Sequence, residues 1–366
     1  MAFAIYICVV AIADCSFAGV DLVQPGRDAG QTIASHSEQG SGRLHDSGRT
    51  ALPLAGRAGT DGSNRMGSTH MAEAGTRMAR LISKTRDYYI LTKPEVNLLI
   101  LMTTSGAYYM GSRGHLDWPG MLRTVVGTLL VASGTATLNQ FMERGFDSNM
   151  KRTAARPLPA GRVSALEALI FGLALSVAGG AYLWLTVNRL ASLLALSTLL
   201  SYLLIYTPLK RRTPLCTLLG AFPGAMPTLI GWAGASARLS LEAWFLFTVL
   251  FLWQFPHFLA IALMYREDYE RAGFRMLPRF DRDGQFTQAE IIAFTIVLLV
   301  VTFLPGFFFN HSLFYLAGMA VAGAFFLYYG VELAKSRSRS AASRLLHASV
   351  VYLPMVLAVM MISKRE

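Results

Sequence analysis

Asn139, Glu143 and Asp147 stand four residues apart. On a helix each is turned about 40° from the last, so all three side chains share one face. All three offer oxygen. Magnesium takes oxygen ligands, keeps several waters, and is usually held by one or two carboxylates together with substrate phosphates. Arg152 and Arg156 follow, again four apart, and suit phosphate oxygens. The stretch ahead of the trio, Gly120 to Leu138, is almost wholly apolar. Oxygen ligands at the rim of an apolar segment, backed by arginines, point to a magnesium-bridged diphosphate at a membrane boundary. The plainer alternatives are a helix end turning polar where it meets water, and arginines that only anchor the chain.

Three further features carry candidate chemistry. The run Trp253-Gln254-Phe255-Pro256-His257-Phe258 leads to Tyr265-Arg266-Glu267-Asp268-Tyr269-Glu270-Arg271-Ala272-Gly273. On one continuous helix Asp268 would lie about three turns beyond His257 and within about 20° of the same line. The spacing therefore predicts an intramembrane histidine below an acidic cluster. Such a histidine is a functional candidate; the alternative is one hydrogen-bonded to a neighbouring helix. Tyr206-Thr207-Pro208-Leu209-Lys210-Arg211-Arg212-Thr213 is a tight basic turn, suited to phosphate or to topology anchoring. Thr92-Lys93-Pro94 places one more cation ahead of an apolar stretch.

These residues need elements to hold them, and composition says which. Of 366 residues, 53% are hydrophobic and only 15% charged, with a mean hydropathy of +0.42. That is too little charge to cover a water-soluble domain of this size. From Leu91 about nine apolar stretches reach bilayer-spanning length, at 91–110, 119–141, 165–186, 190–207, 215–234, 241–263, 289–309, 312–333 and 347–363. The fold class expected is all-α, a polytopic bundle, because in lipid helices satisfy their own backbone groups. Gly220, Pro223, Gly224, Pro227 and Gly231 in the fifth span suit close helix approach or a kink beside a cavity.

The net charge of +11 is read as loop charge of a membrane protein, not as a nucleic-acid surface. Lys84, Lys93, Arg144, Lys151, Arg152, Arg156, Lys210, Arg211, Arg212, Arg266, Arg271 and Lys335 all fall on one side of the span pattern. Arg113, Arg189, Arg238 and Lys364 fall on the other. The positive-inside rule makes the basic side cytoplasmic. Spans two, four and six then end on that side, which gathers the trio, the basic turn and the Asp268 segment at one surface. Cys8, Cys15 and Cys216 are scattered, which supports neither a zinc site nor a disulfide framework.

Residues 1–70 differ from the rest. Gly26 to His70 is rich in Gly, Ser, Thr and Arg without periodicity and is read as disordered. It is a weak signal or transit peptide, or an extension ahead of a start at Met71 or Met78. Residues 71–366 are read as one transmembrane domain.

Taken together, Leu91-Thr92-Lys93-Pro94, the Asn139-to-Pro159 run, Tyr206 to Thr213, Gly224-Ala225-Met226-Pro227, Trp253 to Phe258, and Asp268 to Gly273 with Met276-Leu277-Pro278 resemble the UbiA superfamily of intramembrane prenyltransferases, over about residues 84 to 363. The resemblance implies a UbiA-type bundle around a central cavity in the inner (plasma) membrane, with the active site facing the cytoplasm. It implies Mg2+ held by Asn139, Glu143, Asp147 and Asp268. Lys93, Arg152, Arg156, Lys210 and Arg211 would bind the diphosphate. The first motif carries Glu143 where aspartate is usual. The second has Met264 four residues ahead of Asp268 in place of a carboxylate, a departure that points to the heme-farnesylating branch. That branch implies farnesyl diphosphate and heme B as substrates, a heme-binding role for His257, and a heme A synthase or cytochrome oxidase assembly factor as candidate protein partners. The competing readings are a UbiA relative acting on an aromatic quinone precursor or chlorophyllide, and a solute transporter lined by Asn139, Glu143, Asp147 and His257. Transporters place charges near the bilayer midplane; here they sit at helix ends on one side.

Overall fold

The structure, a computed structural model, describes residues 62–112, 115–281, 283–308 and 313–364. Among these residues every regular element is helical. The order is α1 (Gly62–Leu91), α2 (Pro94–Gly111), α3 (Trp118–Asp147), α4 (Ala165–Thr186) and α5 (Arg189–Ser201), which continues through a π-helical turn at Tyr202–Tyr206 and a last turn at Thr207–Leu209. Then come α6 (Cys216–Ser236), α7 (Leu241–Met264), the short α8 (Arg266–Arg271), a single turn at Leu277–Phe280, α9 (Gln285–Phe308), α10 (Leu313–Ser336) and α11 (Arg339–Ile362). The chain forms two units, residues 15–83 and a larger one that includes residues 84–366. Helices α2 to α11 all belong to the larger unit. The expectation of disorder at residues 1–70 lies outside the described residues as far as residue 61; from Gly62 the chain is helical.

Among the described residues, eight helices are long and apolar enough to cross a membrane: α3, α4, α5 with its continuation, α6, α7, α9, α10 and α11. The other expected span is α2, of 18 residues. Its apolarity is diluted by Asn97, Thr103 and Thr104, all buried. A helix enclosed by α3, α6 and α11 can carry such groups because it meets little lipid. Local signals set the boundaries. Pro94 opens α2, where its missing N–H costs nothing. Asp117 accepts from the Gly120 N–H at the start of α3, and Ser164 with Glu167 forms a reciprocal capping box at the start of α4. Ser338 accepts from the Ala341 N–H and starts α11 well ahead of the expected apolar stretch at 347.

Helices α6 and α7 are the most buried of the eight. Helix α6 packs against α2, α3, α5 and α7, and α7 against α6, α9 and α11. The outward faces of the others carry exposed Leu166, Ile170, Val177, Leu185, Val300 and Val321, as contact with lipid tails requires. Since lipid is as apolar as a protein core, helices here associate through close packing rather than hydrophobic burial. Gly231 shows how close. A Cβ built there would lie 2.1 Å from the Thr104 carbonyl oxygen of α2, and backbone cannot swing aside. Gly231→Ala should therefore lower stability by about 1–3 kcal/mol, read as thermal unfolding in detergent. Gly145→Ala, with nothing within 4 Å of the built Cβ, should leave the transition unchanged or slightly raised.

Candidate active site

The apolar run of α3 ends near Leu138, but the helix continues to Asp147. Its last turns bury Asn139, Glu143 and Asp147 to 2%, 5% and 2% exposure. Carboxylates that far from water need compensation. Each of the three meets a cation from a different part of the chain. Lys93 Nζ donates to Asn139 Oδ1 at 3.0 Å. Lys210 Nζ lies 3.5 Å from Glu143 Oε1. Arg156 Nη1 donates to Asp147 Oδ2 at 2.8 Å. The structure thus gathers six of the expected site residues and adds Thr207, whose hydroxyl accepts from Asn139 Nδ2 at 3.2 Å.

The local backbone is built to aim these cations. Lys93 has a left-handed backbone, φ 51° and ψ 65°, uncommon outside glycine. The turn that carries it is tied to α3: the Leu91 carbonyl accepts from Gln140 Nε2 at 2.8 Å, and Asn97 Nδ2 donates to the Thr92 carbonyl and to Ser133 Oγ, both at 2.9 Å. Burial pushes the half-buried Lys93 ammonium, in the turn ahead of α2, down to about 7; the Arg156 charge adds to the fall, while Glu143 and Asp147 oppose it. Arg156 reaches back because residues 148–156 fold into successive turns, with the Thr153 hydroxyl donating to the Asp147 carbonyl at 2.8 Å. Lys210 follows the π turn, an element often found at functional sites. That turn brings the rings of Tyr202 and Tyr206 to 4.9 Å.

The segment after α7 closes over the basic turn. Lys210 Nζ lies 4.3 Å from the Phe274 ring centre, and the Arg275 N–H donates to the Lys210 carbonyl at 3.2 Å. Gly273 makes this bend with φ 77°, a conformation that costs glycine little. Arg211 stacks on Phe146 at 4.6 Å, and Arg152 on Tyr265 at 5.1 Å. Both remain at the same end as the trio, packed against aromatic rings.

Asp268 differs from its expected setting. Helix α7 stops at Met264, and Tyr265, with φ −111° and ψ 27°, breaks the path before α8 begins at Arg266. The single line drawn from His257 to Asp268 therefore does not exist. Asp268 is held by Arg271 Nη1 at 3.1 Å, one turn along α8. His257 lies within α7, its ring stacked on Trp253 at 4.6 Å and 24°, with Nδ1 2.7 Å from Ser349 Oγ of α11.

Two carboxylates and an amide carbonyl on one buried helix face are the hard oxygen donors that magnesium takes, so the α3 end fits that ion by donor chemistry. Among the described residues no three His, Cys, Asp or Glu side chains gather in one metal-binding group. Asp268 does not stand with Glu143 and Asp147 in such a group.

The sequence matches the UbiA prenyltransferase family over residues 100–353. A protein of Solibacter usitatus named protoheme IX farnesyltransferase is 47% identical over 288 residues, covering 76% of this chain and 99% of that protein. Proteins of the same name from Koribacter versatilis and Opitutus terrae are 42% and 39% identical, covering 77% of this chain in each case and 94% and 96% of their own lengths. In fold, the structure of digeranylgeranylglyceryl phosphate synthase is similar with a TM-score of 0.64 at 18% identity, over 77% of this chain and 98% of that one. A UbiA homolog from Archaeoglobus fulgidus bound to DMAPP and Mg2+ gives 0.56 at 16% identity, over 75% and 99%.

The unequal exposure of one pair gives a test of its energetics. The Asp147 side chain is 3% exposed, but that of Arg156 is 23% exposed and can turn to water. Arg156→Ala strands a buried carboxylate and should cost about 3–5 kcal/mol. Asp147→Asn strands only a partly exposed guanidinium and should cost clearly less. Thermal unfolding of both variants without substrate checks the order, and equal losses would contradict it.

Proposed function

The chain belongs to the UbiA prenyltransferase family, a multi-pass membrane enzyme, and we propose that it transfers the farnesyl group of farnesyl diphosphate to a vinyl group of protoheme IX (heme B), with addition of water, to give heme O and diphosphate. The observation that carries this reading is the similarity to relatives of that name along almost their whole lengths. The end of the bundle where the trio meets the loops supports it chemically. Lys93, Arg152, Arg156, Lys210 and Arg211 there outnumber Glu143, Asp147 and Asp268, which suits a polyanionic substrate.

When bound, magnesium held by Asn139, Glu143 and Asp147, with Asp268 drawn in, would neutralise the diphosphate and act as a Lewis acid on its oxygens. The chain's own groups do the rest. Lys93, Lys210 and Arg156 exchange their present partners for phosphate oxygens, and Arg152 and Arg211 add charge from the same side. These fixed cations are strongest where negative charge develops, on the diphosphate that departs with the electron pair of the breaking carbon–oxygen bond. The apolar bundle keeps water from the allylic cation until the vinyl carbons attack it. The new cation, beside the porphyrin, takes hydroxide from water and releases a proton. His257 faces the porphyrin in this reading. The basic end faces the cytoplasm by the positive-inside rule, in an inner membrane, and the product supplies heme A biosynthesis. A heme A synthase or an oxidase assembly factor is the kind of partner that fits.

Incubating the purified protein with heme B, farnesyl diphosphate and magnesium should give heme O by mass spectrometry of the extracted pigment. Chelation of the metal should abolish it, and Arg156→Ala should slow turnover by about 10²–10³-fold, the cost of losing a preorganised charge at a developing anion. No heme product, with prenylation of an added quinone precursor instead, would overturn the substrate assignment. Unchanged turnover in Asp147→Ala would overturn the metal assignment.

A further inference from the structure

Ser349 lies in the middle of α11, fully buried at 0% exposure. Its hydroxyl makes two short contacts, one to the Leu346 carbonyl at 2.6 Å and one to His257 Nδ1 at 2.7 Å. A hydroxyl has one proton and two acceptor lone pairs. The Leu346 carbonyl can only accept, so the hydroxyl proton goes there. The oxygen then faces His257 with a lone pair, and Nδ1 must carry the hydrogen of that bond. The opposite assignment would press two lone-pair oxygens together at 2.6 Å. Neutral imidazole has one N–H, so Nε2 is left with its lone pair. Among the described residues Nε2 makes no hydrogen bond.

Ser349 holds the ring a second way. Its backbone carbonyl accepts from Trp253 Nε1 at 2.8 Å, and the Trp253 indole, 2% exposed, stacks on the imidazole. One residue of α11 thereby fixes the tautomer of His257 through its hydroxyl and the plane of the ring through its carbonyl. A histidine whose Nδ1–H is tied to an oxygen, with Nε2 open, is the arrangement in which imidazole binds a metal through Nε2, because the second-shell acceptor sets ring orientation and raises basicity.

We propose that Ser349 is a positioning residue for the porphyrin substrate: by accepting from His257 Nδ1–H it presents Nε2 to the heme iron and so sets how the vinyl edge meets the prenyl donor. The inference rests on the reading of His257 as the residue that faces heme, and the experiment separates the two. Heme B is titrated into the purified full chain and its variants. Affinity is read from the Soret band, and the iron–histidine stretch of the reduced complex from resonance Raman spectra.

Ser349→Ala should weaken heme binding by about 10-fold or more and lower the iron–histidine stretch. It should still fold, with only a modest fall in its thermal transition from the unpaired Nδ1–H, because the backbone carbonyl still holds Trp253, and its KM for farnesyl diphosphate should be unchanged. Ser349→Thr keeps the hydroxyl and should restore both heme readouts. If His257→Ala retains the wild-type spectrum, the reading of His257 fails and takes this inference with it. If His257→Ala loses the stretch while Ser349→Ala keeps it at full frequency and affinity, His257 stands and the role of Ser349 is overturned.

Discussion

Two carboxylates and an amide are buried at the end of one helix, and no lipid or apolar side chain can compensate them. An unpaired buried charge is among the most expensive features a fold can carry, so the surrounding chain is arranged to answer it. Lys93 adopts a left-handed backbone to reach Asn139. The loop after α3 turns back on itself to bring Arg156 to Asp147. The basic turn after α5 carries Lys210 to Glu143, and the segment after α7 bends at Gly273 to cover Lys210 with Phe274. Four separate connections converge on one helix end because of that requirement.

In the function proposed above, the same pairing would ready the site for its substrate. A metal diphosphate carries both signs, and in that reading it would offer cationic centres to Glu143 and Asp147 and anionic oxygens to Lys93, Lys210 and Arg156. Its insertion would exchange one set of compensated charges for another. The rings of Phe146 and Tyr265 lie against Arg211 and Arg152, and that of Phe274 against Lys210, contacts weaker than a buried ion pair.

Beneath this polar end lies a tightly packed interior. Helices α6 and α7 run through its middle, and contacts such as Gly231 against Thr104 leave no slack. His257 sits in α7 two turns before Met264, about 10 Å along the axis from the helix end, clamped between Trp253 and Ser349. The histidine and the acidic segment are thus joined through α7 itself, whose break at Tyr265 divides them.

Much of this was legible in the chain. Apolar stretches of bilayer length determined the helical bundle, because backbone in lipid has few alternatives. Four-residue spacing put Asn139, Glu143 and Asp147 on one face, because helical geometry is local. The alternation of basic loops put Lys93, Arg156 and Lys210 at the same end. The sequence did not reveal the break at Tyr265, since periodicity continues through a single turn in which only one residue leaves helical geometry. Nor did it mark Ser349 or Thr207, small polar residues among dozens, whose importance lies wholly in what stands opposite. Which cation meets which oxygen, and which nitrogen of His257 carries its proton, are decided by partners distant in sequence, 92 residues apart in the last case, and only the packed helices bring them within reach.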